Sequence, residues 1–221
     1  MKGYVSLFGG VNTRKAKYFK HAVAIYKELG FQVEIYEATG MKCLIPTQYK
    51  RNVDKAYHRL MEQNQEELKK IPKIIHVYSG GLYSGLELNE RFKHDTFIME
   101  ASPFSPYNIS LFRSIIKAKL MLSLPINTLE YAMNCLGIPT EKYQKDVFET
   151  YERQLLQLPN VFIINGEKDE YLDKEFVKEF IYNLQLNGIT TIYFGFEEGT
   201  HYKIAKTDID LYREIIVGVC K

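Results

Sequence analysis

With 221 residues, the chain is long enough for one sizeable hydrophobic core and short for two full domains. Its 46% apolar and 25% charged residues suit a soluble globular protein, and a net charge of +2 from dispersed basic residues gives no electrostatic argument for nucleic acid. Cys43, Cys135 and Cys220 are widely spaced and lack a C-x-x-C pair, which argues against a disulfide framework or zinc site and for reduced thiols in the cytoplasm.

No stretch approaches the ~18 uninterrupted apolar residues of a spanning helix. The apolar run before Gly9 is too short for a signal peptide, while contact with a membrane surface stays open.

Tyr4–Phe8 is an apolar run ended by Gly9-Gly10 and predicts a buried strand. Ala16, Phe19, Ala22, Val23 and Tyr26 then recur at helical spacing, with Gly30 as the stop, and Lys15 to Lys20 forms a solvated helix face. F-Q-V-E-I-Y at 31–36 alternates as an edge strand exposed on one face would. Residues 48–70 carry Val53, Tyr57, Leu60 and Met61 at helical spacing, and Pro72 marks a boundary before the strand Lys73–Tyr78. Leu82–Phe92 predicts a helix, Thr96–Ala101 a strand and Val161–Ile164 another. Phe176–Leu186 is amphipathic and stops at Gly188; Ile189–Phe196 predicts the last strand and Ile204–Val219 the last helix.

This alternation implies a mostly parallel sheet of about six strands with helices on both faces. The segment from Ser105 to Pro159 breaks the rhythm. It shows helical apolar spacing (Leu111, Phe112, Ile115, Ile116, Leu120), then breaks at Leu124-Pro125, Gly137 and Pro139. We therefore expect one domain over 1–221 with 105–159 inserted as a helical cap.

Three short stretches could carry chemistry: V-Y-S-G-G at 77–81, N-G-E-K-D at 165–169 and E-G-T-H at 198–201. Each follows a predicted strand. Together they offer a serine, an acid and a histidine in the order Ser79, Asp169, His201, the order in which α/β-hydrolases place their triad. A serine hydroxyl needs a base to take its proton and a third group to orient that base. It must also project from a crowded strand-to-helix turn, where small residues flank it two positions away. Gly81 meets that need and Val77 does not. Taken singly, the three residues have plainer readings: a Ser-Gly-Gly loop, an aspartate capping the next helix and a loop histidine.

An oxyanion site would draw on the backbone N–H of Gly80, with a second donor from Gly10 in the loop after the first strand. Gly9-Gly10 lacks the third glycine of a dinucleotide-binding turn, and Glu37 alone makes no ribose site. His76 falls inside a buried strand and predicts a core histidine with its hydrogen bonding satisfied. His21, His58 and His94 fall on helix surfaces or in loops. No cluster of His and carboxylates has ligand-like spacing, so we expect neither metal nor cofactor.

On these residues the chain resembles a minimal α/β-hydrolase of the sparsely characterised eukaryotic PaxU-like branch. The matching features are Gly9-Gly10, Y-K-E-L-G-F-Q-V at 26–33, S-G-G at 79–81 without an upstream glycine, and the late Asp169 and His201. The resemblance spans almost the whole chain and tolerates a larger residue at the position of Val77. It implies the α/β-hydrolase fold but no agreed substrate.

The expected function is that of a serine hydrolase of carboxylesterase, thioesterase or lipase-like type. It would act on a small-molecule ester or thioester through an acyl-enzyme on Ser79. The apolar content of residues 105–136 favours a hydrophobic acyl group, although the same residues could pack a cap onto the sheet. A non-catalytic binding or scaffold protein that keeps the fold is the alternative, with Val77 tilting the elbow. A nucleotide-dependent Rossmann enzyme is a third reading.

Overall fold

A computed structural model of the chain describes residues 1–10, 19–37, 46–102, 150, 153–170, 172, 174–201 and 203–221. Among these residues six strands form: β1 (Gly3–Phe8), β2 (Phe31–Tyr36), β3 (Lys73–Tyr78), β4 (Thr96–Glu100), β5 (Asn160–Gly166) and β6 (Thr191–Phe196). They make one sheet in the order β2-β1-β3-β4-β5-β6, with every neighbouring pair parallel. The chain runs outward from β1 to β2, returns to the other side of β1 with β3, and then adds strands in that direction. The order reverses between β1 and β3, and such a reversal opens a crevice at the carboxyl ends of the two strands. Phe8 pairs in register with Val77 there, so the turns that follow both strands meet at one level.

Among the described residues the α-helices are α1 (Lys20–Glu28), α2 (Pro46–Met61), α3 (Gln65–Leu68), α4 (Leu82–Arg91), α5 (Lys174–Leu186), α6 (Ile204–Thr207) and α7 (Ile209–Val219). Strand side chains alternate between two cores. Ile75, Val77, Phe97, Met99, Val161 and Ile163 pack with Val53, Leu60, Leu82, Leu86, Phe180 and Leu184 from α2, α4 and α5. Val5, Leu7, Ile74, Tyr78 and Ile98 pack with Ala22, Ile25, Tyr26, Tyr212, Ile215 and Ile216 from α1 and α7. Burial on both faces is why these strands read as nearly continuous apolar runs.

Several boundaries differ from expectation. The helical reading of 48–70 resolves into α2 and α3, because Asn64 competes for the backbone. Its Oδ1 accepts the N–H groups of Glu66 and Glu67 at 3.1 and 3.4 Å, starting a new helix. The Gln65 side chain donates to the Leu60 carbonyl at 2.8 Å, closing the end of α2. Met61 is exposed, while Ala56 takes a core position. The expected last helix likewise breaks at Asp208, whose carboxylate accepts from Leu211 N–H at 2.9 Å and caps α7. Strand β2 is an edge strand, but its middle residues are half-buried on both faces instead of alternating. Gly30, at φ +84°, ends α1 in the left-handed conformation that glycine adopts without strain.

Most of the expected cap, residues 105–149 and 151–152, lies outside the described residues, as do Ala16 and Lys15. Near the end of that segment, Leu155 and Leu158 are buried in the same core as Leu88 and Val161.

Candidate active site

Strand β3 ends in a sharp turn. Tyr78 is still extended at φ −120°, ψ 126°, and Ser79 then switches to φ +52° before a single 3₁₀ turn, Ser79–Gly81, feeds α4. A left-handed conformation costs a non-glycine residue roughly 1–2 kcal/mol. Close approach of neighbouring backbone holds it in place. A Cβ on Gly81 would lie 2.4 Å from the Phe8 carbonyl oxygen, so β1 and the start of α4 cross at a distance only glycine permits.

The acid and histidine loops follow β5 and β6, and they interlock. A Cβ on Gly166 would lie 2.2 Å from the Gly199 carbonyl oxygen, and that oxygen accepts Lys168 N–H at 2.9 Å. Glu167 N–H and Gly199 N–H both donate to the Phe196 carbonyl, at 2.8 and 2.9 Å. Lys168 and Glu198 form an ion pair across the outside of the two loops. Position along one loop is thereby fixed relative to the other, which sets where Asp169 and His201 lie.

The structure brings Ser79, His201 and Asp169 into one run of hydrogen bonds. His201 Nδ1 lies 2.8 Å from Asp169 Oδ2, and His201 Nε2 lies 3.1 Å from Ser79 Oγ. A carboxylate only accepts, so Nδ1 carries the proton and donates, and Nε2 is left to accept from the serine hydroxyl. Ser79 and His201 are 6% and 3% exposed, so the run is shielded from bulk water, where charge interactions are stronger. This arrangement can move a proton from a hydroxyl to an imidazole while a carboxylate holds the ring.

Gly10 sits directly against the turn. A Cβ there would lie 2.4 Å from the Gly80 backbone nitrogen and 2.5 Å from Ser79 Cβ. The loop after β1 therefore runs alongside the Gly80 amide, at the amino end of α4.

Beneath the crevice, on the α1 and α7 face, lies a polar network that sequence reasoning only half captured. His76 is buried, as expected, and both ring nitrogens are partnered: Nδ1 with Tyr26 Oη and Nε2 with Glu100 Oε2, each at 3.1 Å. The Tyr212 hydroxyl donates to the same Glu100 oxygen at 2.7 Å. Burial pushes the Tyr26 and Tyr212 phenols well above their ordinary value, so both keep their protons and act as donors. Glu100 escaped notice because it ends the apolar run T-F-I-M-E; a carboxylate inside such a run is the signal that could have marked it. Tyr78 also escaped notice, and its hydroxyl donates to the His201 carbonyl.

His94 is a loop residue, as expected, but is buried, not solvent-facing. Its Nδ1 donates to the Phe92 carbonyl at 2.6 Å, and burial pushes its pKa down to about 4. Among the described residues, no group of three His, Cys, Asp or Glu could hold a metal ion, and no helix is long and apolar enough to cross a membrane.

No protein-family model matches the chain, and no curated protein sequence matches it either. Solved structures do. An esterase of Pyrococcus furiosus superposes with TM-score 0.69 at 11% identity, covering 99% of this chain and 80% of that one. S-formylglutathione hydrolase from Staphylococcus aureus gives TM-score 0.62 at 12% identity over 99% and 81%. The thioesterase domain from the curacin biosynthetic pathway gives 0.58 at 9% identity over 98% and 91%. The six-stranded parallel sheet and its helices have the α/β-hydrolase fold.

Proposed function

We propose that the chain is a serine hydrolase that cleaves a carboxylic ester or thioester through an acyl-enzyme on Ser79. The observation that carries this reading is the run of hydrogen bonds from Asp169 through His201 to Ser79, at 2.8 and 3.1 Å. Ser79 Oγ attacks the carbonyl carbon as its proton passes to His201 Nε2. The tetrahedral intermediate collapses, the bond to the alcohol or thiol breaks, and His201 returns the proton to that leaving group. Water then attacks the acyl-enzyme with His201 again as base, releasing the acid and restoring Ser79.

Asp169 keeps the proton on Nδ1 and stabilises the imidazolium that forms at each step. The oxygen that becomes negative is received by the N–H groups of Gly80 and Gly10. The positive end of the ten-residue helix α4 adds to their pull. Neighbours named as an esterase, a thioesterase and a hydrolase support the same reaction class. A hydrophobic acyl group is favoured by the apolar sequence of 105–136, and a reducing, cytoplasmic setting by the cysteine spacing. The quoted motifs support the PaxU-like branch.

The test is turnover of p-nitrophenyl esters of graded chain length. Wild-type protein should cleave them, and His201→Ala should stay folded while losing on the order of 10³-fold or more in kcat. Unchanged turnover in His201→Ala contradicts the mechanism. A folded wild type that cleaves none of them, and no thioester, favours the non-catalytic binding reading.

A further inference from the structure

We infer that Tyr78 is a positioning residue that fixes the backbone of His201. This rests on the hydrolase reading above, which gives His201 a proton to carry.

Tyr78 is the last residue of β3, and its side chain is buried in the core beneath α1 and α7, on the same face of the sheet as His76. Its hydroxyl donates to the His201 carbonyl oxygen, and the two rings are tilted with centroids 5.9 Å apart. Phe19 of the same core packs edge-on to the Tyr78 ring at 5.9 Å, which limits where the phenol can swing. The next residue along the chain, Ser79, meets His201 Nε2 at 3.1 Å. Two consecutive residues of one strand end therefore hold the histidine at two points, Tyr78 at its main chain and Ser79 at its ring. Asp169 supplies the third, at Nδ1.

Three points matter because His201 lies outside any helix or strand, in the loop between β6 and α6. Ser79 and Asp169 both grip the ring and set its tilt, and the contacts between the two loops tie the histidine loop to the acid loop. The Tyr78 hydroxyl ties the main chain of the histidine loop to the turn bearing the nucleophile, so a displacement of the turn carries the histidine with it. Reacting groups tolerate little error in placement: about 1 Å can cost 10²-fold in rate.

Tyr78→Phe removes the donor and keeps the ring. It should lower kcat for p-nitrophenyl esters by roughly tenfold to a hundredfold and leave KM within about twofold, with an unchanged circular dichroism spectrum. A merely structural role would not move the second readout, the low-field proton resonance of His201 Nδ1–H. That signal should persist in Ser79→Ala and exchange faster with solvent in Tyr78→Phe. Wild-type kcat together with an unmoved resonance overturns the inference.

Failure of the hydrolase reading looks different. There the wild type turns over no ester, while the resonance still responds to Tyr78→Phe. Should Tyr78→Phe not fold, the wild type carries the test through the Tyr78 hydroxyl proton. A slowly exchanging hydroxyl close to His201 supports the assignment, and one too fast to observe overturns it.

Discussion

Gly85 of α4 makes room for Val77 of β3: a Cβ on Gly85 would lie 2.3 Å from Val77 Cγ1 and 3.0 Å from both Ile75 Cγ2 and Phe97 Cζ. Elbows of the G-x-S-x-G kind place the small residue on the strand, two positions before the serine. Here the strand residue is large, and the helix packed on it supplies the glycine instead. Ser79 keeps its left-handed φ of +52° with this exchange in place.

Gly85→Ala should therefore destabilise the fold by up to about 2 kcal/mol, the overpacking penalty less what alanine returns in helix propensity. Combining it with Val77→Ala should give a protein more stable than Gly85→Ala alone. Urea denaturation of the four proteins of the cycle measures the coupling; strictly additive effects would mean that the two positions do not compete for space.

Gly10→Ala should act on rate more than on stability. The added methyl has to push against the Gly80 amide and Ser79 Cβ. If the Gly10 loop helps to receive the oxyanion, kcat should fall by about 10²–10³, the cost of one lost donor. Thermal denaturation beside ester kinetics separates the two effects, and an unchanged kcat would remove Gly10 from the site.

Asp169→Asn should leave the fold intact and lower kcat by up to about 10⁴. An amide can donate to Nδ1, which moves the ring proton to Nε2 and leaves nothing to accept from Ser79. The loss should be greatest near neutral pH; kinetics as a function of pH would show it. A drop of only a few-fold would assign the orienting role elsewhere.

His94 predicts a pH dependence of stability away from the site. Burial lowers its folded pKa to about 4, below the ordinary 6.5, so on acidification the unfolded chain takes up the proton first. The contribution is fully present above pH 6.5 and is lost as the pH falls towards 4, amounting to about 3 kcal/mol. His94→Gln should flatten stability over that window, as read from urea midpoints at pH 4.5 and 7. Parallel slopes in the two proteins would contradict this.

Most of the framework was legible because strands buried on both faces leave long apolar runs closed by glycine or proline; Lys73–Tyr78 was read to the residue. Ser79, Asp169 and His201 stood out because each follows such a run, and topology alone brings parallel strand ends together. What stayed hidden depends on partners distant in the chain. Gly85 has meaning only against Val77, Tyr78 only against His201, and Glu100 only against His76 and Tyr212. The breaks at Asn64 and Asp208 were local, but a single capping side chain interrupts an otherwise helical pattern without disturbing its periodicity. The burial of His94 follows from packing around the α4–β4 loop, which no local pattern records.

The account stands or falls on whether Ser79 is a nucleophile activated by His201. A fluorophosphonate probe reacts covalently only with such a serine, and mass spectrometry of the digested protein locates the adduct. We expect wild-type protein to carry the label on Ser79, with Ser79→Ala unlabelled and His201→Ala labelled at most very slowly. Equal labelling of wild type and Ser79→Ala, or none in a folded wild type, would contradict the account.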